Sequence, residues 1–248
     1  MSGDDMNEKM PRVKIGCCGF AVGMKDYFRQ FKLVEVQQTF YKMPRLETAI
    51  RWHNEAPPDF EFTLKVWQLI THPAISPTYR RAGIKIPMSA EEGYGFFRPT
   101  NKVHQAWEDT RNFAQALRAK IIIFQCPPSF KETLENINNM KKFFKSIQDS
   151  GFLRVWEPRG DWNVATVKSL CAELGLIHCV DPYEKESLYG EPKYFRLHGG
   201  PGYRHRYSEE ELHSLKDKIG KRDAYALFNN LNRYEDALTF QRLAREEK

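Results

Sequence analysis

Short apolar runs rich in β-branched and aromatic residues recur along this chain, and stretches with helical hydrophobic spacing lie between most of them. That rhythm constrains the fold more than any single motif. Parallel strands need a crossover of a dozen or more residues, and a helix is the usual crossover. The runs cover residues 14–20, 33–40, 61–67, 120–126, 153–159, 176–181, 194–198 and 224–229, eight in all. Helical spacing covers 44–55, 101–118, 131–150, 162–174, 208–219 and 233–246. Pro44 is placed at a first helical position, and Ser208 with Glu211 has the spacing of a capping box. Eight strand–helix units in 248 residues imply one α/β barrel of the TIM type, (β/α)8, over residues 13–248, behind a loose tail over 1–12. A doubly wound open sheet is the alternative. Two connections break the rhythm. Residues 68–100, with four prolines and three glycines, are too long for an ordinary loop and read as a lid or functional loop. The link 182–193 is too short for a full helix, so the barrel is expected to be irregular between its sixth and seventh strands.

Several classes are excluded. The apolar stretches are only a few residues long, far short of the roughly 20 that a membrane span needs. The polar start of the chain has no apolar h-region, so the expected location is the cytoplasm. Five cysteines, an odd number without a C-x-x-C, argue against a disulfide framework or a zinc ribbon. Cys17, Cys126 and Cys179 read as small buried hydrophobes. A net charge of +6 permits an anionic partner, but there is no long Lys/Arg run that would demand one.

Strand side chains alternate between faces, and in a barrel one face is the lumen. With the apolar residues outward, Glu35, Gln37 and Thr39 of the second strand point inward, as do Thr63, Lys65 and Trp67 of the third. Glu157 and Arg159 share the inner face of the fifth strand, Cys179 and Asp181 that of the sixth, Arg196 and His198 that of the seventh. Gln125 ends the fourth strand, and Asn229 and Asn230 end the eighth. Polar groups therefore gather at the C-terminal strand ends, where barrel active sites are built. A structural salt-bridge network is the competing explanation. The loop after the seventh strand, residues 199–207, offers Gly199 and neighbouring glycines for backbone anion contacts, Arg204 and Arg206 for charge-assisted bonds, and Tyr203 and Tyr207 for stacking.

The chain resembles the YecE-like TIM barrels, a family of unknown function. The matching residues are Val34-Glu35-Val36 with Thr39-Phe40-Tyr41, Pro57 through Phe62 leading to Lys65, Leu69-Ile70-Thr71-His72, Gln125 through Phe130, Glu157 with Arg159, Arg196-Leu197-His198-Gly199, Tyr207-Ser208 and Phe228-Asn229-Asn230. Gln37 stands where an Asn is usual, and Cys17-Cys18 where Thr-Ser is usual. The resemblance implies the barrel fold and no particular reaction.

Two functions compete. In the first, the chain is an enzyme, possible hydrolase chemistry included, acting on a small phosphorylated ligand or nucleic acid. Glu35 and Glu157 are then acid/base candidates and His198 a proton shuttle. Lys65 completes the catalytic set. Arg159 and Arg196 hold an anion with help from Gly199, Tyr203, Arg204, Gln125, Asn229 and Asn230. No cofactor is implied, and a divalent metal on Glu35, Glu157 and Asp181 is the weaker variant. His72, on the long loop, is within reach of the site, with solvent its expected place. In the second, the chain is a non-catalytic nucleic-acid-binding module using Arg80, Arg81, Lys85, Arg204 and Arg206, with Tyr79, Tyr94, Phe96 and Phe97 stacking on bases.

Overall fold

The computed structural model describes residues 12–246, so the expected tail lies outside the described residues except for Arg12. Arg12 is already tied to the barrel: its carbonyl accepts from Ala224 N–H at 3.1 Å and its guanidinium pairs with Asp223 at 2.8 Å. The eight strands are β1 Val13–Cys18, β2 Leu33–Val36, β3 Glu61–Lys65, β4 Ile121–Gln125, β5 Leu153–Glu157, β6 Ile177–Val180, β7 Lys193–Leu197 and β8 Ala224–Phe228. All pairings are parallel and β8 returns to β1, which closes the barrel and rules out the open sheet. Among the described residues no helix is long and apolar enough to cross a membrane.

Helices follow the strands where the spacing places them, at Leu46–Glu55, Asn101–Leu117, Leu134–Ser146, Val164–Leu174, Glu209–Ile219 and Arg233–Glu246. Ser208 and Glu211 form the expected capping box. The first of these helices starts at Leu46, so Pro44 precedes it and does not open it. A short helix, Met24–Gln30, links β1 to β2 without having been anticipated; it buries only Tyr27 and Phe28. No helix joins β6 to β7, where Asp181 caps a turn and His178 N–H bonds Tyr189 O at 2.9 Å.

The interior is layered. At the N-terminal end Glu61 takes Lys14 at 2.5 Å, Lys120 at 3.0 Å and the Tyr225 hydroxyl. The middle is apolar, with Leu33, Ile121, Ile123, Val155 and Leu227 packed together. Here Tyr194 bridges Thr63 at 3.0 Å to Glu35 at 2.8 Å, so Thr63 is a structural partner. Strand register carries the lumen-facing set around the barrel, with Cys18 beside Glu35, Lys65 beside Ile123, and Gln125 beside Glu157.

All eight strands end one or more residues before their apolar runs do, and after β2 and β3 the chain also departs from the expected alternation. After Val36 the chain turns into Gln38–Tyr41, a helical turn, because Thr39 Oγ1 donates to Lys65 O at 2.6 Å and folds the segment over β3. Trp67 lies beyond the end of β3, half-buried against the outer core and not in the lumen. The 68–100 segment contains the short helices Gln68–Thr71 and Pro77–Arg81 and the 3-10 turn Met88–Gly93. Its aromatics are not free to stack on bases. Tyr79 is buried and donates to His72 O, Phe97 is packed among Phe124, Phe130, Phe143 and Phe144, Phe96 rests on Phe130, and Tyr94 leans on the core. The five cysteines are free and buried. Burial pushes the Cys17 thiol up to about 12.

Candidate functional site

Arg196 reaches inward from β7 and spans the C-terminal end of the lumen. Its Nη2 lies 3.0 Å from Glu35 of β2, and its Nη1 lies 2.6 Å from Glu157 of β5 and 3.4 Å from Gln125 of β4. The guanidinium is 1% exposed and Glu35 is fully buried. Glu35 also accepts from Gln37 and Tyr194. Arg159 pairs with the other oxygen of Glu157 at 2.5 Å and donates to His198 Nε2. A guanidinium cannot accept a hydrogen bond, so His198 Nε2 is the acceptor and the ring proton sits on Nδ1, 3.5 Å from Asp181 Oδ2. Burial alone would raise Glu157. The opposing pull of Arg196, and then of Arg159, outweighs it and holds the carboxyl well below the usual range.

This arrangement sorts the expected residues. Arg196 is neutralised by two carboxylates, so its charge is not available to hold an anion directly. Glu157 is held as a paired carboxylate and is a poor general acid. Asp181 accepts from His198 N–H at 2.7 Å and Tyr183 N–H at 3.0 Å, which makes it a turn cap. With each acid so engaged, Glu35, Glu157 and Asp181 do not converge as metal ligands; among the described residues no group of three or more His, Cys, Asp or Glu is gathered to hold an ion. Asp181→Ala strands two amide donors, and we expect a loss of about 1–3 kcal/mol in chemical denaturation. A loss near zero would mean that the turn holds without its cap.

The remaining candidates divide between two cavities. One, about 520 Å³, opens beside the ends of β5, β6 and β7 and takes in Glu157, Arg159, Asp181 and His198, with Trp162 as a wall. The other, about 370 Å³, sits over the barrel mouth and takes in Lys65, Gln125, Arg196, Tyr203, Asn229 and Asn230. Gly199 must be glycine, with φ +71° and a Cβ position 2.7 Å from Asn230 Cβ, but its N–H is occupied by the Tyr207 hydroxyl. It is not an anion contact. Tyr207 is buried and stacked on Tyr183 at 5.1 Å, so it cannot stack on a ligand, whereas Tyr203 is exposed and edges onto His198. Asn230 ties the loop to His205 and Asp236. Arg204 is exposed and lines neither cavity.

Lys65 stands apart. Glu35 and Glu157 balance Arg159 and Arg196, and Lys65 is the cation left over, with its Nζ 3.5 Å above the Phe40 ring. Among the described residues no carboxylate lies within ion-pair distance of it. Burial first, and then repulsion from Arg196, bring the amine down from 10.5 to about 7, against the pull of Glu157 and Glu35. His72 is not in solvent. It is buried against Phe40 with ring centroids 4.8 Å apart, its Nδ1 meets Thr71 Oγ1 at 2.8 Å, and burial with the nearby Lys65 lowers it to about 3. His72, Arg81 and Arg233 line the mouth cavity; of these the sequence places only His72 within reach of the site. A buried ring seven residues beyond the end of β3 and two distant arginines leave no periodic signal. The Leu69-Ile70-Thr71-His72 run, apolar on a loop, was the one available hint.

A closed parallel eight-stranded barrel with its polar cluster at the C-terminal strand ends is a TIM barrel. Residues 21–248 match the family described as "Protein of unknown function DUF72", which is the YecE-like family, and the chain belongs to it. It superimposes on a DUF72 family protein from Enterococcus faecalis V583 with a TM-score of 0.72 at 20% identity, over 96% of this chain and 99% of that one. A DUF72 family protein from Thermotoga maritima MSB8 gives 0.66 at 21% identity, over 94% and 99%. A xylose isomerase domain containing protein from Salmonella typhimurium LT2 gives 0.57 at 15% identity, over 97% of each. No curated protein matches the chain.

Proposed function

We propose that the protein is an enzyme acting on a small phosphorylated substrate in the mouth cavity. One observation carries this reading: the cavity is lined by Lys65, Arg81, Arg196 and Arg233 and by no aspartate or glutamate. Arg196 is neutralised from beneath. Arg81 is exposed at the rim, and Arg233 has a buried Nε without a hydrogen-bond partner. These two are the groups suited to charge-assisted bonds with a phosphate. Tyr203 and Asn229 supply neutral contacts at the same opening. A nucleic-acid-binding module is less well supported, because Tyr79 and Phe97 are buried in the core and Tyr94 and Phe96 are half-buried against it.

The test is thermal unfolding with inorganic phosphate, sugar phosphates and short single-stranded DNA and RNA, comparing wild type with Arg233→Met and Arg81→Met. A ligand at about 100 times its Kd adds ~2.7 kcal/mol, a rise of roughly 5–10 °C for a domain of this size. We expect that rise with a phosphorylated small molecule, reduced in both variants. Equal melting temperatures across the panel would overturn the phosphate site, and a response to oligonucleotides alone would favour the binding module.

A further inference from the structure

We propose that Lys65 Nζ is a nucleophile that forms an imine with the carbonyl carbon of a phosphorylated aldehyde or ketone held in the mouth cavity. The proposal deepens the phosphate-site reading and rests on it for the substrate's anchor. A lysine that only held an anion would work best fully charged and exposed. This one is 7% exposed, faces an open cavity, and has no carboxylate in ion-pair distance; the Phe40 face beside it favours the ammonium, but less than a counter-ion would.

The charges around it act together. Arg196 from β7 and Arg159 after β5 disfavour the ammonium, and Glu35 of β2 and Glu157 of β5 favour it but are spent on those guanidiniums. His72, beyond β3, is neutral near neutral pH and adds no charge. Burial then decides the balance toward the free amine. Desolvation and a neighbouring cation are the two means by which a lysine becomes a nucleophile at neutral pH.

The step balances without an oxidant or reductant. The Nζ lone pair attacks the carbonyl carbon, the C=O π pair moves to oxygen, and one of the two amine protons passes to that oxygen. The nitrogen lone pair then forms C=N as the C–O bond breaks, and the oxygen departs as water carrying the second amine proton. The cationic lining at Arg81 and Arg233 places the substrate's phosphate at the rim while the carbonyl meets Lys65 below.

Dihydroxyacetone phosphate and glyceraldehyde 3-phosphate, each beside its unphosphorylated counterpart, are incubated with the full chain at pH 7.5. Sodium borohydride then reduces any imine to a stable secondary amine, and peptide mass spectrometry locates the adducts. An ordinary exposed lysine is about 0.1% free amine at this pH, so adduct formation at Lys65 should exceed that at any surface lysine by roughly tenfold or more. Lys65→Arg keeps the charge and should abolish that adduct. The pH profile of Lys65 modification in the wild type, which needs no variant to fold, should have its midpoint near about 7. Trapping confined to surface lysines, or a midpoint above 10, overturns the proposal. Equal trapping at Lys65 with and without phosphate keeps the imine and overturns the phosphate anchor. A phosphate-dependent thermal shift without trapping keeps the anchor and overturns the imine.

Discussion

Arg196→Met should cost about 3–5 kcal/mol of unfolding free energy in urea, the scale set by leaving buried charges without their partner. Two carboxylates depend on this one guanidinium, Glu35 at 3.0 Å and Glu157 at 2.6 Å, and both are buried. Arg159 still serves Glu157, whereas Glu35 keeps only Tyr194, Gln37 and the Cys18 thiol, all neutral donors. The triple variant Glu35→Gln, Glu157→Gln, Arg196→Met removes the three buried charges, leaves only the partly exposed Arg159 to solvent, and should recover most of the loss, since neutral replacement of a buried network is often close to neutral. The acid limb gives a second readout. Glu157 has a folded pKa depressed below its unfolded value. It therefore contributes stability that is fully present above the ordinary glutamate range, near 4.3, and is lost as the pH falls toward the depressed folded value. In Arg196→Met that depression shrinks, so the variant's disadvantage should narrow as the pH is lowered below about 4. The same substitution should move the midpoint of Lys65 modification upward from about 7, because two released carboxylates then favour the ammonium. A loss under about 1 kcal/mol in urea, with an unchanged acid limb, would mean that water enters the lumen end and solvates the acids.

Which parts of this site could be read from the chain follows from where each signal is written. Glu35, Glu157 and Arg196 obey the two-residue period of strands that are otherwise β-branched and apolar, so their inward placement was readable before any contact was known. Their mutual pairing was not, because it depends on how strands 2, 5 and 7 face one another across the lumen. Lys65 was readable as inward for the same reason, but its isolation was invisible: a balance of inward signs conceals which cation is the one left over. Alternation misled at residues 37–40, where Thr39 looks like a strand position and instead bonds Lys65 O from a helical turn. Gly199 shows a third kind of limit. Its glycine was correctly read as a backbone requirement, yet the cause is close contact with Asn230 and not an approaching anion.

The wall of the mouth cavity depends on a left-handed turn, and Gly95→Ala should damage both stability and Lys65 reactivity. Gly95, Phe96 and Phe97 all have positive φ, +75°, +53° and +53°. Bulky residues rarely adopt that region, so something must hold them there. The hold is twofold. Phe97 is fully buried in an aromatic cluster, and the three amides bond the carbonyls of Leu69, Thr71 and Ile70 at 2.8, 3.3 and 2.9 Å. The turn thereby clamps the short helix Gln68–Thr71 and the His72 that follows it. A Cβ on residue 95 would sit 2.3 Å from His72 O and 2.6 Å from Pro73 N, both backbone atoms that cannot swing aside. Left-handed strain and overpacking each cost about 1–3 kcal/mol, so we expect roughly 2–5 kcal/mol in urea. To relieve the clash, the backbone at His72 must shift, and a disturbed His72–Phe40 contact would admit water to the cavity wall beside Lys65. Hydration favours the ammonium, so the midpoint of Lys65 modification should rise in the folded variant. Gly83→Ala is the control, with φ +70° in the same segment but nothing within 4 Å of its Cβ position. It should show the strain cost alone and leave Lys65 unchanged. If the two variants lose equal stability and neither alters Lys65, the turn at residue 95 is a loop detail and the cavity wall does not depend on it.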